Sequence, residues 1–278
     1  MAFLANLFGY LLNYIYMIVN NFGFAIILFS IVIRILLLPI SIKQQKTIKK
    51  TAKIQDKVKQ LQFKYKNNPE QLNKEMIELY RTEKMSPFSG CLSGIIQIIL
   101  LISVFFLVQR PLTYMKKVDP SLIEQYTNEI KTESNDQNTR DVYNEIQIIS
   151  EKGLSDERVY LNMEFLGLDL SAVPISKMSD PKVYIIPVLY VLSSILSIKL
   201  SSNMTSTKKN EGGEENKEED PMAQANKSML YIMPIMSVSI SMIAPLGLAL
   251  YWFVSNLLMI IERIALTKIL ENEEEKDA

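Results

Sequence analysis

Arg34 is the first charged side chain in this chain, and it stands inside an apolar run, Phe22 to Ile42, long enough to cross hydrocarbon. No carboxylate lies in that run or before it. At about 1.5 Å per residue, Lys43 follows roughly 13 Å further along a helix, farther than an arginine gains by bending toward water. A guanidinium at membrane depth costs about 2.5–3.5 kcal/mol on insertion scales, so Arg34 is expected to face a bundle interior or a water-filled cavity. The alternative is an arginine near the cytoplasmic end of a tilted span, reaching phosphate headgroups.

Four more stretches have the apolarity of spans or near-spans: Cys91 to Gln109, Lys182 to Leu200, Leu230 to Ala244 and Leu246 to Leu266. Pro245 and Gly247 divide the last two, which read as a tight hairpin within the membrane. The expected fold is an all-α membrane protein with five transmembrane helices, a cytoplasmic helical hairpin and an N-terminal interfacial helix. Its segments are an interfacial helix over 1–21, a first span over 22–42, a basic hairpin over 43–86 and a second span over 87–110. An acidic outer region over 111–181 and a third span over 182–200 follow. A polar loop over 201–228, spans over 229–244 and 245–266, and an acidic tail over 267–278 complete the chain.

Net charge is zero, but the charges are segregated by segment. Lys43–Ser86 holds twelve basic residues against five acids, whereas Pro111–Pro181 holds seven against thirteen. The positive-inside rule therefore puts the first segment and the C-terminus in the cytoplasm and the N-terminus outside. Residues 1–20 lack a basic n-region and are read as interfacial rather than as a cleaved signal, with Phe3, Leu7, Tyr10, Leu11 and Tyr14 on one side. A lone cysteine, Cys91, forms no internal disulfide, and the lack of any histidine removes imidazole ligands and His-based triads.

Lys43–Lys66 is a lysine-rich helix with Ile54, Val58, Leu61 and Tyr65 on one stripe. Asn68 and Pro69 have the capping and first-turn chemistry of a second helix, whose apolar face is Leu72, Met76, Leu79 and Tyr80. Lys46, Lys49, Lys50 and Lys53 form a basic surface that suits anionic lipid or RNA, or is simply solvated. In the outer region Asp119-Pro120 starts one helix and Arg140–Ser150 forms another. Ser202–Lys227 and Glu271–Ala278 are too polar to bury an ordering core and are expected to be disordered.

If Arg34 is wet, the other spans supply polar lining. Gln97 and Ser103, Ser193, Ser194 and Ser197, Ser237 and Ser241, and Trp252, Ser255 and Asn256 are the candidates. Each serine equally suits helix–helix hydrogen bonding. Apart from Glu262 and Arg263 near the end of the last, the later spans hold no Asp, Glu, Arg or internal Lys, which argues against proton-coupled pumps and cation channels. No phosphate-binding loop is present, so ATP-driven transport by this chain alone is not expected. Met229, Met233, Met236 and Met242 serve packing, or an adaptable surface for an apolar helix.

The chain resembles the YidC insertase family, bacterial membrane-protein insertases with relatives in mitochondria and chloroplasts, and specifically its Gram-positive-type five-span members. The resemblance rests on Gly23–Arg34 running to Pro39, the Leu61–Lys66 segment, Gly90-Cys-Leu-Ser with Gln97, Phe165–Ser171, Asp180-Pro181, Met233-Pro234 and Pro245–Asn256. Ser93 and Ile99 stand where members commonly carry proline. The resemblance implies a hydrated groove, open to cytoplasm and lipid, that holds Arg34, Gln97, Ser193, Ser237, Ser241, Tyr251, Trp252 and Asn256. There the polar segment of a nascent membrane protein would be received before its apolar helix enters the bilayer. It further implies the bacterial cytoplasmic membrane, no covalent chemistry, cofactor, metal or small-molecule substrate, and ribosome, targeting factor and Sec translocon as partners. A small-anion channel or transporter with Arg34 as its selectivity site is the rival reading. A subunit that only shields the helices of larger complexes is a third.

Overall fold

The computed structural model describes residues 2–83, 89–134, 143–205, 236 and 238–277, and these are mostly helical. Two compact units are formed. The first comprises Met1–Ile35, Ile98–Ser193 and Met236–Leu258, and the second Leu36–Gln97, Ser194–Ile235 and Met259–Ala278.

In the first unit α1 (Ala2–Val19) ends at Asn20, whose left-handed φ of 46° terminates the helix. Its apolar residues divide into two sides. Ala5, Leu12 and Ile15 are buried, whereas Phe3, Leu7, Tyr10 and Tyr14 are exposed, the side expected to meet an interface. Helix α1 packs on a π-helical turn, Leu112–Lys116, and does so closely: a Cβ on Gly9 would stand 1.9 Å from the carbonyl oxygen of Tyr114. The turn follows α4 (Ser89–Gln109).

Helix α2 (Phe22–Lys64) begins with Asn21, whose Oδ1 accepts from the Phe24 N–H at 3.2 Å. The chain returning at residues 162–164 fixes this start. Phe22 N–H donates to the Asn162 carbonyl at 2.9 Å, and Asn21 Nδ2 to that of Glu164 at 2.6 Å. A short hairpin follows, β1 (Glu164–Phe165) and β2 (Leu168–Asp169), antiparallel with Phe165 opposite Leu168. Both turn residues, Leu166 and Gly167, have positive φ, as a two-residue hairpin requires. Before this hairpin lie α5 (Pro120–Ser134) and α6 (Asn144–Lys152), packed on each other. Asp119 caps α5 as the Asp-Pro pair leads one to expect, its Oδ1 accepting from the Ser121 N–H. The second helix, expected from Arg140, starts at Asn144; residues 140–142 lie outside the described residues.

Asp180 accepts from the Lys182 N–H and opens a 3-10 turn, Pro181–Tyr184, that runs into α7 (Ile185–Thr205). Residues 238–243 are helical, and the chain breaks at Pro245 before α8 (Leu246–Asp277). The break is secured by the residues after the β1–β2 hairpin, because Leu246 and Gly247 N–H groups donate to Ala172 and Leu170 carbonyls, each at 2.9 Å. Two described helical stretches are long and apolar enough to cross a membrane, Phe22–Lys50 and Pro181–Leu200; Phe3–Val19 and Ile98–Gln109 are shorter apolar helices.

In the second unit α2 continues through Pro39 into the lysine-rich stretch without a break. Helix α3 (Pro69–Thr82) starts as the sequence suggests, with Asn68 Oδ1 accepting from the Gln71 N–H at 3.1 Å. Tyr65 bonds Glu75, and Lys57 pairs with Glu83 at 2.7 Å, so α3 runs back along α2. One expectation is corrected here: the tail from Glu271, read as disordered, is helical as far as Asp277. Extending an existing helix needs no new nucleus, and Glu and Lys are good helix formers. The start of the polar loop expected over 201–228 is corrected likewise, since α7 runs on to Thr205; residues 206–228 lie outside the described residues.

Candidate functional site

Arg34 lies about three turns inside α2, half-buried in the first unit. Its Nη2 donates to the backbone carbonyl of Ser255 on α8 at 3.1 Å. A helical carbonyl has a second lone pair to offer, so the guanidinium is held without removing a helix bond. Tyr251, one turn before Ser255 and buried, hydrogen-bonds to Ser255 and feels the charge of Arg34. The i, i+4 spacing of Tyr251 and Ser255 puts both on the face of α8 that meets Arg34.

The next face of α8 carries Trp252 and Asn256. Asn256 Nδ2 donates to Ser193 Oγ at 2.9 Å, and Ser193 Oγ donates to the Tyr190 carbonyl at 2.8 Å. Tyr190 and Trp252 rings stand 6.2 Å apart at 39°. The Trp252 indole N–H is buried and finds no acceptor among the described residues, which costs about 1–3 kcal/mol where no water serves it.

Five of the eight residues expected in a groove therefore fall into two neighbouring groups, Arg34 with Tyr251, and Ser193 with Trp252 and Asn256. Ser241 is fully buried and donates to the Val238 carbonyl of its own helix at 2.7 Å, as Ser103 does to Ile99 and Ser30 to Ile26. Back-bonding of this kind satisfies a hydroxyl in an apolar setting without any ligand. Gln97 lies on α4, but its side chain, like all of Ser237, is outside the described residues. Tyr190 was not among the expected residues; its position three before Ser193, on one helix face, was the signal. The carbonyl of Ser255 could not have been singled out, since every residue has one.

A separate opening of about 340 Å³ lies among Arg110, Thr113, Ile123, Glu124, Asn144 and Glu145. Glu145 is buried there and accepts from the Thr113 N–H at 2.9 Å and from its hydroxyl. Burial pushes its carboxyl above the usual range, against the Thr113 hydrogen bonds and the nearby Arg110 cation, which pull it down.

The lysines belong to the second unit. Lys46, Lys50 and Lys53 are exposed on α2, and Lys49 is half-buried. Beside them Gln45 is buried and donates from Nε2 to Thr267 Oγ1 on α8 at 3.3 Å.

Known proteins resemble the chain along most of its length. The family model described as 60Kd inner membrane protein matches residues 14–274. A "Membrane protein insertase YidC" of Fusobacterium nucleatum is 28% identical over 261 residues, 94% of this chain and 93% of that protein. One of Treponema denticola is 26% identical over 268 residues, 96% of this chain but 38% of that protein; the chain thus spans well under half of this longer relative. One of Caldanaerobacter subterraneus is 42% identical over 109 residues, 39% of this chain and 53% of that protein. These relatives are named as membrane protein insertases, and they imply a bacterial membrane as the setting. With its Arg34-bearing helix held against α8 and a family match over nearly all of its length, the chain belongs to the 60Kd inner membrane protein family, that of the YidC membrane protein insertases.

Proposed function

We propose that this chain inserts nascent membrane proteins into a bacterial cytoplasmic membrane, receiving their polar segments in a hydrated groove at Arg34. The observation that carries the reading is Arg34 itself, a half-buried guanidinium in a span-length apolar helix, bonded to the Ser255 carbonyl of α8. Its permanent positive charge and planar fork of donors suit the carboxylates and polar groups of a client segment. In this mechanism Arg34 attracts an acidic or polar segment, groove water lowers its desolvation cost, and the client's apolar helix slides into lipid. Each unsatisfied polar group in hydrocarbon costs several kcal/mol, so shortening the dry path raises the insertion rate by orders of magnitude. The buried Trp252 N–H suits a client carbonyl or a groove water, and Gln97, Ser193, Ser237, Ser241, Tyr251 and Asn256 complete the lining.

Five spans, an outside N-terminus and a cytoplasmic hairpin are part of the same reading. The basic face at Lys46, Lys49, Lys50 and Lys53 would meet anionic lipid, with ribosome, targeting factor and Sec translocon as further partners of the hairpin.

Reconstitution of the chain into liposomes with short single-span clients tests the proposal. Arg34→Lys keeps the charge and should retain most insertion, whereas Arg34→Ala should fail first on clients whose translocated segment carries Asp or Glu. Equal loss on acidic and neutral clients, at normal protein abundance, would show that Arg34 organises the fold rather than recognising charge. Anion flux without insertion would establish the channel reading instead.

A further inference from the structure

The opening of about 340 Å³ lies between the end of α4, the face of α5 that carries Ile123, and the first turn of α6, and the Arg34 site uses none of it. Ligand pockets run from about 300 to 1,000 Å³, so one at the small end suits a chain end rather than a folded element. Glu145 borders the opening and is only 6% exposed. The Thr113 N–H donates to its Oε2 at 2.9 Å, the Thr113 hydroxyl to its Oε1, and the Leu112 N–H is a third donor. A carboxylate has about four acceptor positions, so it can take one donor more. Buried carboxylates are ordinarily paired with a cation. Among the described residues none forms an ion pair with Glu145, and Arg110 reaches it through its charge alone. Exposed Glu124 lines the same opening, so two carboxylates stand against one guanidinium. The lining carries an excess of negative charge whenever both are ionised.

We propose that this opening binds the primary ammonium at the N-terminal end of a peptide, with Glu145 and Glu124 as its acceptors and Arg110 facing the first peptide carbonyl. An ammonium has three donors and no acceptor, which matches a lining of carboxylates with acceptor capacity to spare. An anion would meet their repulsion. A divalent metal ion asks for about six or more oxygen ligands, and no three carboxylates gather to hold one among the described residues. Binding supplies the counter-charge that Glu145 otherwise lacks. The site goes beyond the insertase reading and does not require it. Only its use for the N-terminus of a delivered client rests on the reading that this region lies outside the membrane.

The test titrates the full chain in detergent with glycylglycine amide, followed by calorimetry. Saturable binding is expected with a dissociation constant on the order of 1 mM, and none for the N-acetylated probe, which has lost the ammonium. N-acetyl-lysine amide, which carries the ammonium on a side chain, should bind at least about tenfold more weakly; equal binding would overturn the assignment to a chain end. Glu145→Gln should weaken binding about tenfold, the loss expected for one hydrogen bond to a charged group, and exposed Glu124→Gln somewhat less. Thr127→Phe fills the opening from α5, leaves both carboxylates in place, and should abolish binding. Affinity should rise with pH as Glu145 ionises and fall above about pH 8, where a peptide α-amino group loses its proton. In Glu145→Gln the rise should be missing. Equal binding of the acetylated probe, no saturation by concentrations on the order of 10 mM, or wild-type affinity in both Glu145→Gln and Thr127→Phe would overturn the site. Client insertion in liposomes without probe binding would remove this site and leave the insertase reading. Probe binding without insertion would do the reverse.

Discussion

Single residues in this chain owe their weight to partners far away in sequence. Asn256 and Ser193 are 63 residues apart, and their 2.9 Å hydrogen bond ties α8 to α7. Asn256→Ala should cost about 0.6–1.5 kcal/mol, the range for such bonds between membrane helices, and Ser193→Ala a similar amount. The double variant should be no worse than the weaker single one, as a shared interaction requires. Thermal unfolding in detergent measures all three; additive losses would show that the two residues act separately. At Glu145 the effect is one of protonation. Because burial raises its pKa in the folded chain, the native state holds a proton to higher pH than the unfolded state, and its stabilising contribution is fully present below the ordinary value of 4.5. That contribution is lost as pH rises through the raised value. Glu145→Gln should therefore flatten the fall in Tm between pH 4.5 and neutrality; parallel Tm–pH curves for both proteins would refute the assignment.

Among the elements, α1 depends on one close approach. With Tyr114 O only 1.9 Å from where a Gly9 side chain would begin, and with that oxygen belonging to the backbone, Gly9→Ala must push α1 away from the π-helical turn. Overpacking of this kind costs about 1–3 kcal/mol. Hydrogen exchange across residues 2–19 should accelerate in the variant, while exchange in α5 and α6 stays unchanged. Unaltered exchange in α1 would mean that the helix is held by its apolar contacts alone. The hairpin β1–β2 and the residues just before it act differently, as a clasp: Asn162 and Glu164 hold the start of α2, and Leu170 and Ala172 hold the start of α8. Both helices that carry the Arg34 site thus take their origin from the same few residues, 162–172.

For the whole molecule, the decisive question is which side of the membrane each segment occupies. In a Cys91→Ser background, Lys131→Cys on α5 should react with a membrane-impermeant maleimide in intact bacteria, and Lys59→Cys on α2 only after permeabilisation. The basis is the excess of lysine and arginine in Lys43–Ser86 over the outer region. The reverse labelling pattern would invert the topology and remove the cytoplasmic opening from the groove reading.

The sequence by itself determined the local features: helices of span length, the Asn68 cap, the Asp119 and Asp180 starts, the break at Pro245 and the two-sided α1. These follow from patterns within a few residues of one another, where periodicity and capping chemistry act. It also singled out Arg34, since a charge in an apolar run is conspicuous without any structure. What Arg34 touches was decided only by tertiary structure. Its acceptor is a backbone carbonyl 221 residues away, and a carbonyl carries no signature in sequence. The same holds for Ser193, whose hydroxyl could line a groove or bridge two helices until Asn256 was brought beside it. It holds again for the end of α8, whose composition alone argues for disorder. There the helix is already nucleated and extends to Asp277, which a window of acidic residues taken by itself does not foretell.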